Sequence, residues 1–243
     1  MKKYNGFYLM GNYPDKDTFI KSAVKGLEHF DFLEVGVPFS DPTADGDVIS
    51  DASQNLLDRN CTFNDIAESV ATIRKNIPAE KDIYLMTYAN IIYNMNMPVF
   101  NTFCIDNGVK GLILPDIPFC ERNFFEPLGL DRRIKLINFM TPESTLESIE
   151  ETSEVSDNFI YFISMRGITG TDFNPDDETK EKIHYARSKS KVPVVTGFGI
   201  KTKDSADKAM EYSDGFIIGT ALIEALNNGG YDGYAKFVDG LFV

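Results

Sequence analysis

The stretch Asp31–Ser50 reads DFLEVGVPFSDPTADGDVIS and begins as a buried β-strand. Its apolar run contains a glutamate, Glu34, and the loop that follows contains Asp41, Asp45 and Asp47. An apolar run without strict alternation is typical of a parallel strand that is covered on both faces. An unpaired carboxylate inside such a strand is costly, so this stretch predicts both a parallel α/β fold and a functional acid within it.

Seven further runs of this kind give eight predicted strands in all. They begin at Gly6, Asp31, Lys81, Gly111, Ile134, Phe159, Val192 and Asp214. Helical patterns alternate with them over Asp15–Phe30, Thr62–Ile73, Val99–Cys104, Thr145–Glu151, Asp177–Ser188, Lys203–Tyr212, Thr220–Asn227 and Tyr231–Val243. This alternation predicts one α/β domain over residues 1–243, a (β/α)8 TIM barrel rather than a doubly wound sheet. The long interval after strand 2 has room for an extra helix over Val48–Leu57.

The composition is that of a soluble globular enzyme. The chain has 243 residues, of which 43% are hydrophobic and 25% charged, with a net charge of −13. Such an acidic protein is not expected to bind nucleic acid or an anionic membrane surface. Three scattered cysteines suggest a reducing compartment, and neither a signal peptide nor a membrane-spanning run is present. We therefore expect a cytoplasmic protein.

The active site of a barrel lies at the C-terminal ends of its strands, which limits the candidate groups. The lysines nearest the strands precede them or lie at their start, at Lys81, Lys110, Lys135 and Lys191. A Schiff-base lysine in the upper half of a strand is therefore not expected. The two histidines, His29 and His184, fall in helical segments, so no metal site is predicted.

Glu34 and the loop acids remain at the strand ends. Glu34 could simply reach solvent or pair with a basic residue. However, burial raises the pKa of a carboxyl group, which suits it for acid–base chemistry near neutral pH. Asp45 in Asp-Gly and Asp41 in Ser-Asp-Pro could both be turn formers. The residues alone therefore favour a function most clearly for Glu34.

Glycine turns at the ends of the last three strands predict a phosphate site. Strand 6 ends in RGITG (Arg166–Gly170), strand 7 in GFG (Gly197–Gly199) and strand 8 in Gly219-Thr220, which opens a short helix. Loops after strands 7 and 8 and a short helix N-terminus form the usual phosphate site of barrels. Backbone N–H groups can bind the anion there even in an acidic protein.

Six motifs in the same order resemble the tryptophan synthase alpha chain family over essentially the whole chain. They are LEVGVPFSDPTADG (Leu33–Gly46), LMTYAN (Leu85–Asn90), LPDIP (Leu114–Pro118), RGITG, GFGI and IIGTA (Ile217–Ala221). The resemblance implies a lyase that cleaves 1-(indol-3-yl)glycerol 3-phosphate to indole and D-glyceraldehyde 3-phosphate in tryptophan biosynthesis. It also implies an α2β2 tetramer in which a beta chain containing pyridoxal phosphate receives the indole, whereas the alpha chain has no cofactor.

Position by position, the resemblance assigns roles within the site. Glu34 and Asp45 match the two catalytic carboxylates, with Glu34 as general acid and base and Asp45 stabilising the indole N–H. Phosphate binding falls to Gly170, Gly199, Gly219 and Thr220. The substrate pocket and mobile loop match Phe7, Met86, Ile113, Tyr161, Thr169 and Phe198, although core packing explains an apolar strand residue equally well. Pro38–Asp45 and the segment after Pro115 match surfaces that face the beta chain.

The chain departs from the family pattern at several positions. Asp47 and Ser50 replace the usual proline and glutamine after ADG, Met165 replaces an arginine, and Thr220 replaces a serine. Only six residues precede Phe7, too few for the helix that closes the barrel floor in the family. Two alternatives stay open. One is another phosphate-binding barrel, such as a ribulose-phosphate epimerase or an isomerase of tryptophan or histidine synthesis. The other is a catalytically decayed subunit that activates a beta chain.

Overall fold

The computed structural model describes residues 3–43, 45–163, 175–197 and 199–242, which form a nearly closed barrel of parallel strands. The strands are β1 (Gly6–Met10), β2 (Phe32–Gly36), β3 (Asp82–Met86), β4 (Val109–Ile113), β5 (Lys135–Leu136), β6 (Asn138–Met140), β7 (Ile160–Ile163), β8 (Val194–Gly197) and β9 (Gly215–Ile218). Their spatial order is β5-β4-β3-β2-β1-β9-β8-β7-β6. The predicted barrel is confirmed.

Helices surround this barrel. They are α1 (Lys16–Leu27), α2 (Asp47–Asp58), α3 (Phe63–Lys75), α4 (Ala89–Tyr93), α5 (Met97–Asp106), α6 (Leu146–Val155), α7 (Asp177–Lys189), α8 (Lys203–Tyr212) and α9 (Thr220–Leu241). The extra helix predicted after strand 2 is α2. Helix α9 turns sharply at Gly230, with φ 58° and ψ −154°, a conformation essentially restricted to glycine. The predicted division of this region into a short helix and a longer one is therefore confirmed. Within the described ranges, none of the helices combines the length and apolar character that a membrane span requires.

The predicted fifth strand is split in two at Ile137. The short β5 pairs only with β4, and β6 pairs only with β7. The amide of Ile137 still donates a hydrogen bond to the Leu112 carbonyl, at 2.9 Å. The chain therefore passes from one edge of the sheet to the other within a few residues and joins the two edges of the barrel.

The two faces of β2 and β3 pack in different cores. On the outer face, Phe7, Leu33 and Ile83 pair in register and join the large cluster that packs against the helices. On the inner face, Phe32 and Tyr84 belong to a second cluster that fills the barrel. Because both faces are buried, the strands read as continuous apolar runs rather than as alternating ones.

Tyr4 fills the floor of the barrel. Its ring stacks on Phe32 with centroids 4.6 Å apart. Its hydroxyl donates to Asp82 Oδ2 at 2.8 Å and lies 3.0 Å from the hydroxyl of Tyr84. Asp82 and Phe32 are the first residues of their strands, so this network closes the end of the barrel opposite to the predicted active site.

Candidate active site

Glu34 lies in the middle of β2, on the inner face of the barrel. It pairs in register with Tyr8 of β1 and Tyr84 of β3, so a tyrosine flanks it on each side. The side chain is 1% exposed, and its Oε1 atom has no hydrogen-bond partner among the described residues. Burial without a partner penalises the charged form and raises the pKa of Glu34 to about 8. The group is therefore protonated at neutral pH and able to deliver a proton.

Asp45 lies in the loop between β2 and α2, beyond the C-terminal end of the strand that contains Glu34. Desolvation raises the pKa of this carboxyl group to about 6. After desolvation, the charges of both acids contribute to the raised pKa values of Tyr8 and Tyr161. Both carboxyl groups therefore lie close enough to the same two phenols to interact with them electrostatically.

The loop that contains Asp45 is attached to the barrel at several points. Ser53 of α2 holds the backbone of Phe39 through two hydrogen bonds, and the Phe39 ring stacks on Tyr88 with centroids 4.4 Å apart. Nearer the strand, the Val37 amide donates to the Met86 carbonyl at 2.9 Å. These contacts restrict the conformations of the loop and therefore the positions that the Asp45 carboxyl group can take.

The departure at Asp47 has a local structural reason. This residue is exposed in the first turn of α2, where a negative charge interacts favourably with the helix dipole. Ser50 lies in the same helix, and its amide donates to the Gly46 carbonyl at 3.0 Å. Asp47 therefore fits the start of the extra helix, whereas nothing in the structure explains the serine at position 50.

The described parts of the predicted phosphate site are the N-terminus of α9 and Gly199. Gly219 precedes Thr220, the first residue of the helix, and helix geometry leaves the amides there without intrahelical acceptors. A Cβ added at Gly219 would lie 3.2 Å from the Cβ of Tyr8. Gly199 has a positive φ of 78°, which favours glycine. The free amides and the missing side chains leave room for an anion close to β1.

Three of the residues that the resemblance assigns to the substrate pocket lie inside the barrel. Tyr161 and Ile113 belong to the inner cluster, and Met86 packs against it. The Tyr161 hydroxyl occupies the space that a side chain at Gly197 would need. Thr169, Gly170 and Phe198, together with Met165, lie outside the described residues.

Phe7 differs from its predicted position in the substrate pocket. Its ring packs on Phe30, with centroids 4.9 Å apart, and against Gly26 of α1, on the outer face of the barrel. Because side chains alternate along a strand, the neighbouring Tyr8 faces inward instead. We did not predict Tyr8 from the sequence, because the signal that identifies it is the register of β1 with Glu34, which is a tertiary property.

The basic groups named from the sequence lie away from this end of the barrel. Lys81 donates to the Phe30 carbonyl at 2.6 Å, and Lys110 lies 3.9 Å from Asp82 at the floor. His29 lies in the turn after α1 rather than in the helix, 3.0 Å from Asp239, whereas His184 lies in α7 as expected. The prediction that these lysines precede their strands or lie at the start of them is confirmed.

Comparisons with known sequences identify the family. The family model of the tryptophan synthase alpha chain matches residues 4–237. The tryptophan synthase alpha chain of Bacillus cereus is 36% identical over 223 residues, which cover 91% of this chain and 85% of that protein. The tryptophan synthase alpha chain of Bacillus anthracis is 34% identical over 233 residues, which cover 95% and 89% of the two chains.

Solved structures lead to the same family. A chain of Mycobacterium tuberculosis tryptophan synthase superposes with a TM-score of 0.87 at 29% identity, covering 99% of this chain and 91% of that one. A chain of the tryptophan synthase a2b2 complex from Pyrococcus furiosus superposes with a TM-score of 0.86 at 25% identity, covering 99% of both. The chain, from its barrel to the buried glutamate on β2, belongs to the tryptophan synthase alpha chain family.

Proposed function

We propose that Glu34 and Asp45 perform the family's lyase reaction in this chain, the cleavage of 1-(indol-3-yl)glycerol 3-phosphate to indole and D-glyceraldehyde 3-phosphate. The observation that supports this most strongly is Glu34 itself. It is a buried carboxyl group in the middle of a barrel strand, with an unpaired Oε1 among the described residues and a raised pKa of about 8. Such a group can give and take one proton near neutral pH.

The reaction is a retro-aldol cleavage in which the indole ring accepts the electron pair. Protonated Glu34 delivers its proton to ring carbon C3, and Asp45 stabilises the positive charge that develops at the indole N–H. The bond between C3 and the glyceryl carbon then breaks, and its electron pair restores the aromatic ring. Glu34, now a carboxylate, removes the proton of the adjacent glyceryl hydroxyl, which becomes the aldehyde. The net proton transfer is from that oxygen to C3.

The two acids suit these roles because their pKa values differ. Asp45, with a pKa of about 6, is ionised at neutral pH, whereas Glu34, with a pKa of about 8, is protonated. The substrate phosphate would bind at the N-terminus of α9, with Gly219, Thr220 and Gly199 nearby and Gly170 completing the site. Met86, Ile113 and Tyr161, with Phe198 and Thr169, would surround the indole and close the pocket.

We propose further that the chain works in the cytoplasm within an α2β2 tetramer, where a beta chain with bound pyridoxal phosphate consumes the indole. The similarity to a chain of the Pyrococcus furiosus a2b2 complex supports this assembly. An exposed aromatic pair also supports it. Tyr93 is 58% and Phe124 43% exposed, their ring centroids are 6.3 Å apart, and Phe124 lies in the segment after Pro115 that is expected to face the partner.

The alternatives are less well supported. A histidine-and-metal epimerase would need histidines at the C-terminal strand ends, whereas both histidines of this chain lie elsewhere. A catalytically decayed activator would gain nothing from a buried glutamate whose Oε1 has no partner among the described residues, because such a group destabilises the barrel. The lyase function explains why the chain retains a glutamate that destabilises the barrel.

Indole release from indole-glycerol phosphate, with and without a beta chain, tests the proposal. We expect Glu34→Gln to lower the rate of indole release by at least about 10²-fold, because the glutamine amide cannot transfer a proton to C3. Asp47→Asn removes an exposed acid near the same loop and should leave the rate unchanged. Equal inactivity of the wild type and Glu34→Gln beside a competent beta chain would refute the lyase and favour the decayed subunit.

A further inference from the structure

The hydroxyl of Tyr8 is a second polar group of the barrel interior that the reaction above leaves without a role. Tyr8 lies on β1 in register with Glu34 and is 5% exposed. Among the described residues, the acceptor recorded for its hydroxyl is the thioether of Met10, at 3.8 Å. Sulfur is a weak acceptor, so this buried phenol retains most of its capacity to donate a hydrogen bond.

The ring of Tyr8 spans the space between the phosphate site and Glu34. Its Cβ lies 3.2 Å from where a Cβ of Gly219 would be, beside the N-terminus of α9. Its hydroxyl lies over Gly36, where any side chain would overlap it. Gly36 is two residues beyond Glu34 on the same strand and therefore on the same face. Tyr8 on β1 thus lies between the N-terminus of α9 and Glu34 on β2, where a substrate that reaches both would lie.

The glyceryl chain is the part of the substrate that connects those two positions. We propose, on the basis of the function proposed above, that the Tyr8 hydroxyl donates a hydrogen bond to the glyceryl oxygen that becomes the aldehyde. Tyr8 keeps its own proton throughout, and the proton of the glyceryl hydroxyl goes to Glu34. The hydrogen bond stabilises the negative charge that develops on this oxygen as the carbon–carbon bond breaks. It also makes the site selective for a hydroxylated side chain.

The electrostatics of the site suit a neutral donor. Desolvation, followed by the charges of Asp45 and Glu34, holds the pKa of Tyr8 well above its usual value near 10. The phenol therefore remains protonated throughout the pH range in which the two acids work.

Tyr84 offers a matched control on the other side of Glu34. It has the same register with Glu34, but its hydroxyl lies 3.0 Å from that of Tyr4 at the barrel floor. Tyr8→Phe and Tyr84→Phe therefore remove the same atom from the two neighbours of one catalytic group. Only Tyr8→Phe removes a hydrogen-bond donor from the proposed substrate pocket.

The experiment compares the wild type and both variants, each with a beta chain, in two assays. The first is kcat/KM for indole release, and the second is the affinity for indole propanol phosphate, whose chain lacks the glyceryl hydroxyls. We expect Tyr8→Phe to lower kcat/KM by about ten-fold, as for one hydrogen bond, and to leave the affinity for the analogue unchanged. Tyr84→Phe should change neither value, and circular dichroism should show that both variants are folded.

Three other results would contradict the role of the Tyr8 hydroxyl. An active wild type with unchanged kcat/KM in Tyr8→Phe would overturn the role of this hydroxyl while the lyase stands. An equal loss of affinity for the analogue would also overturn it, because it would assign Tyr8 to packing alone. A wild type that releases no indole beside a competent beta chain would refute the proposed function, and this inference with it.

Discussion

Ser53 of α2 holds both backbone groups of Phe39 with a single hydroxyl. Its Oγ accepts a hydrogen bond from the Phe39 amide at 2.9 Å and donates one to the Phe39 carbonyl at 3.0 Å. Ser53 is buried, and Phe39 lies in the loop that leads to Asp45. The extra helix after β2 therefore helps to position the loop acid on which the proposed chemistry depends.

Replacing this serine should weaken the loop. We expect Ser53→Ala to lower the free energy of unfolding by about 1 kcal/mol and to reduce kcat by a few-fold, because two backbone groups lose their partner. Urea denaturation and indole release measure the two effects. Ser50→Ala, in the same helix, should cause neither. An unaltered kcat in a destabilised Ser53→Ala variant would show that the loop position does not limit the reaction.

The pKa values of the two acids predict a pH profile for kcat/KM. The proton donor Glu34 loses its proton above pH about 8, whereas Asp45 loses its charge below pH about 6. The rate of indole release should therefore be highest between these values and fall on both sides. Where the residual rate of Asp45→Asn is measurable, its pH profile should lack the fall below pH about 6 and keep the fall above pH about 8. A wild-type rate that stays constant from pH 5 to 9, roughly the range over which both groups should titrate, would contradict the assignment.

Glu34 also predicts how stability depends on pH. Its folded-state pKa of about 8 lies above its ordinary value of 4.5. Between these values the folded state retains a proton that the unfolded state has released, so the contribution of Glu34 to stability falls as pH rises from about 4.5 to about 8. Glu34→Gln removes this term. We expect the variant to be more stable than the wild type at pH 8, by at least about 1 kcal/mol, and the difference to shrink towards pH 4.5.

Chemical denaturation at several pH values measures that difference. The comparison with Glu34→Gln isolates one group, because Asp45, whose pKa is raised in the same direction, is present in both proteins. A stability difference that does not change with pH would show that Glu34 is not protonated in the folded barrel.

Two buried tyrosines predict opposite effects of the same substitution. The Tyr234 hydroxyl, in α9, is buried and has no hydrogen-bond partner within the described residues, whereas the Tyr4 hydroxyl donates to Asp82 at 2.8 Å. Tyr234→Phe should therefore raise the free energy of unfolding by about 1 kcal/mol, and Tyr4→Phe should lower it by at least as much. Thermal and urea unfolding give both values. A destabilised Tyr234→Phe would show that this hydroxyl has a partner in solution.

Much of the fold could be predicted from local patterns. The eight strand runs, the helical segments that start at Asp15, Thr62 and Thr145, and the extra helix after β2 all correspond to observed elements. Two features could not be predicted in this way. The fifth strand is divided at Ile137 because the barrel closes there, and Tyr4 fills the floor because its ring stacks on Phe32 of β2. Both depend on distant parts of the chain meeting.

By itself, the sequence determined the kind of barrel and the family, and it singled out two carboxyl groups as candidates, because apolar runs and motifs are local properties of the chain. Only the tertiary structure decided which face of each strand lines the pocket. Side chains alternate along a strand, so a displacement of one residue exchanges the two faces, and the register with Glu34 turns Tyr8 inward and Phe7 towards the helices. The raised pKa of Glu34 is likewise a property of the fold, because its cause is desolvation inside the closed barrel.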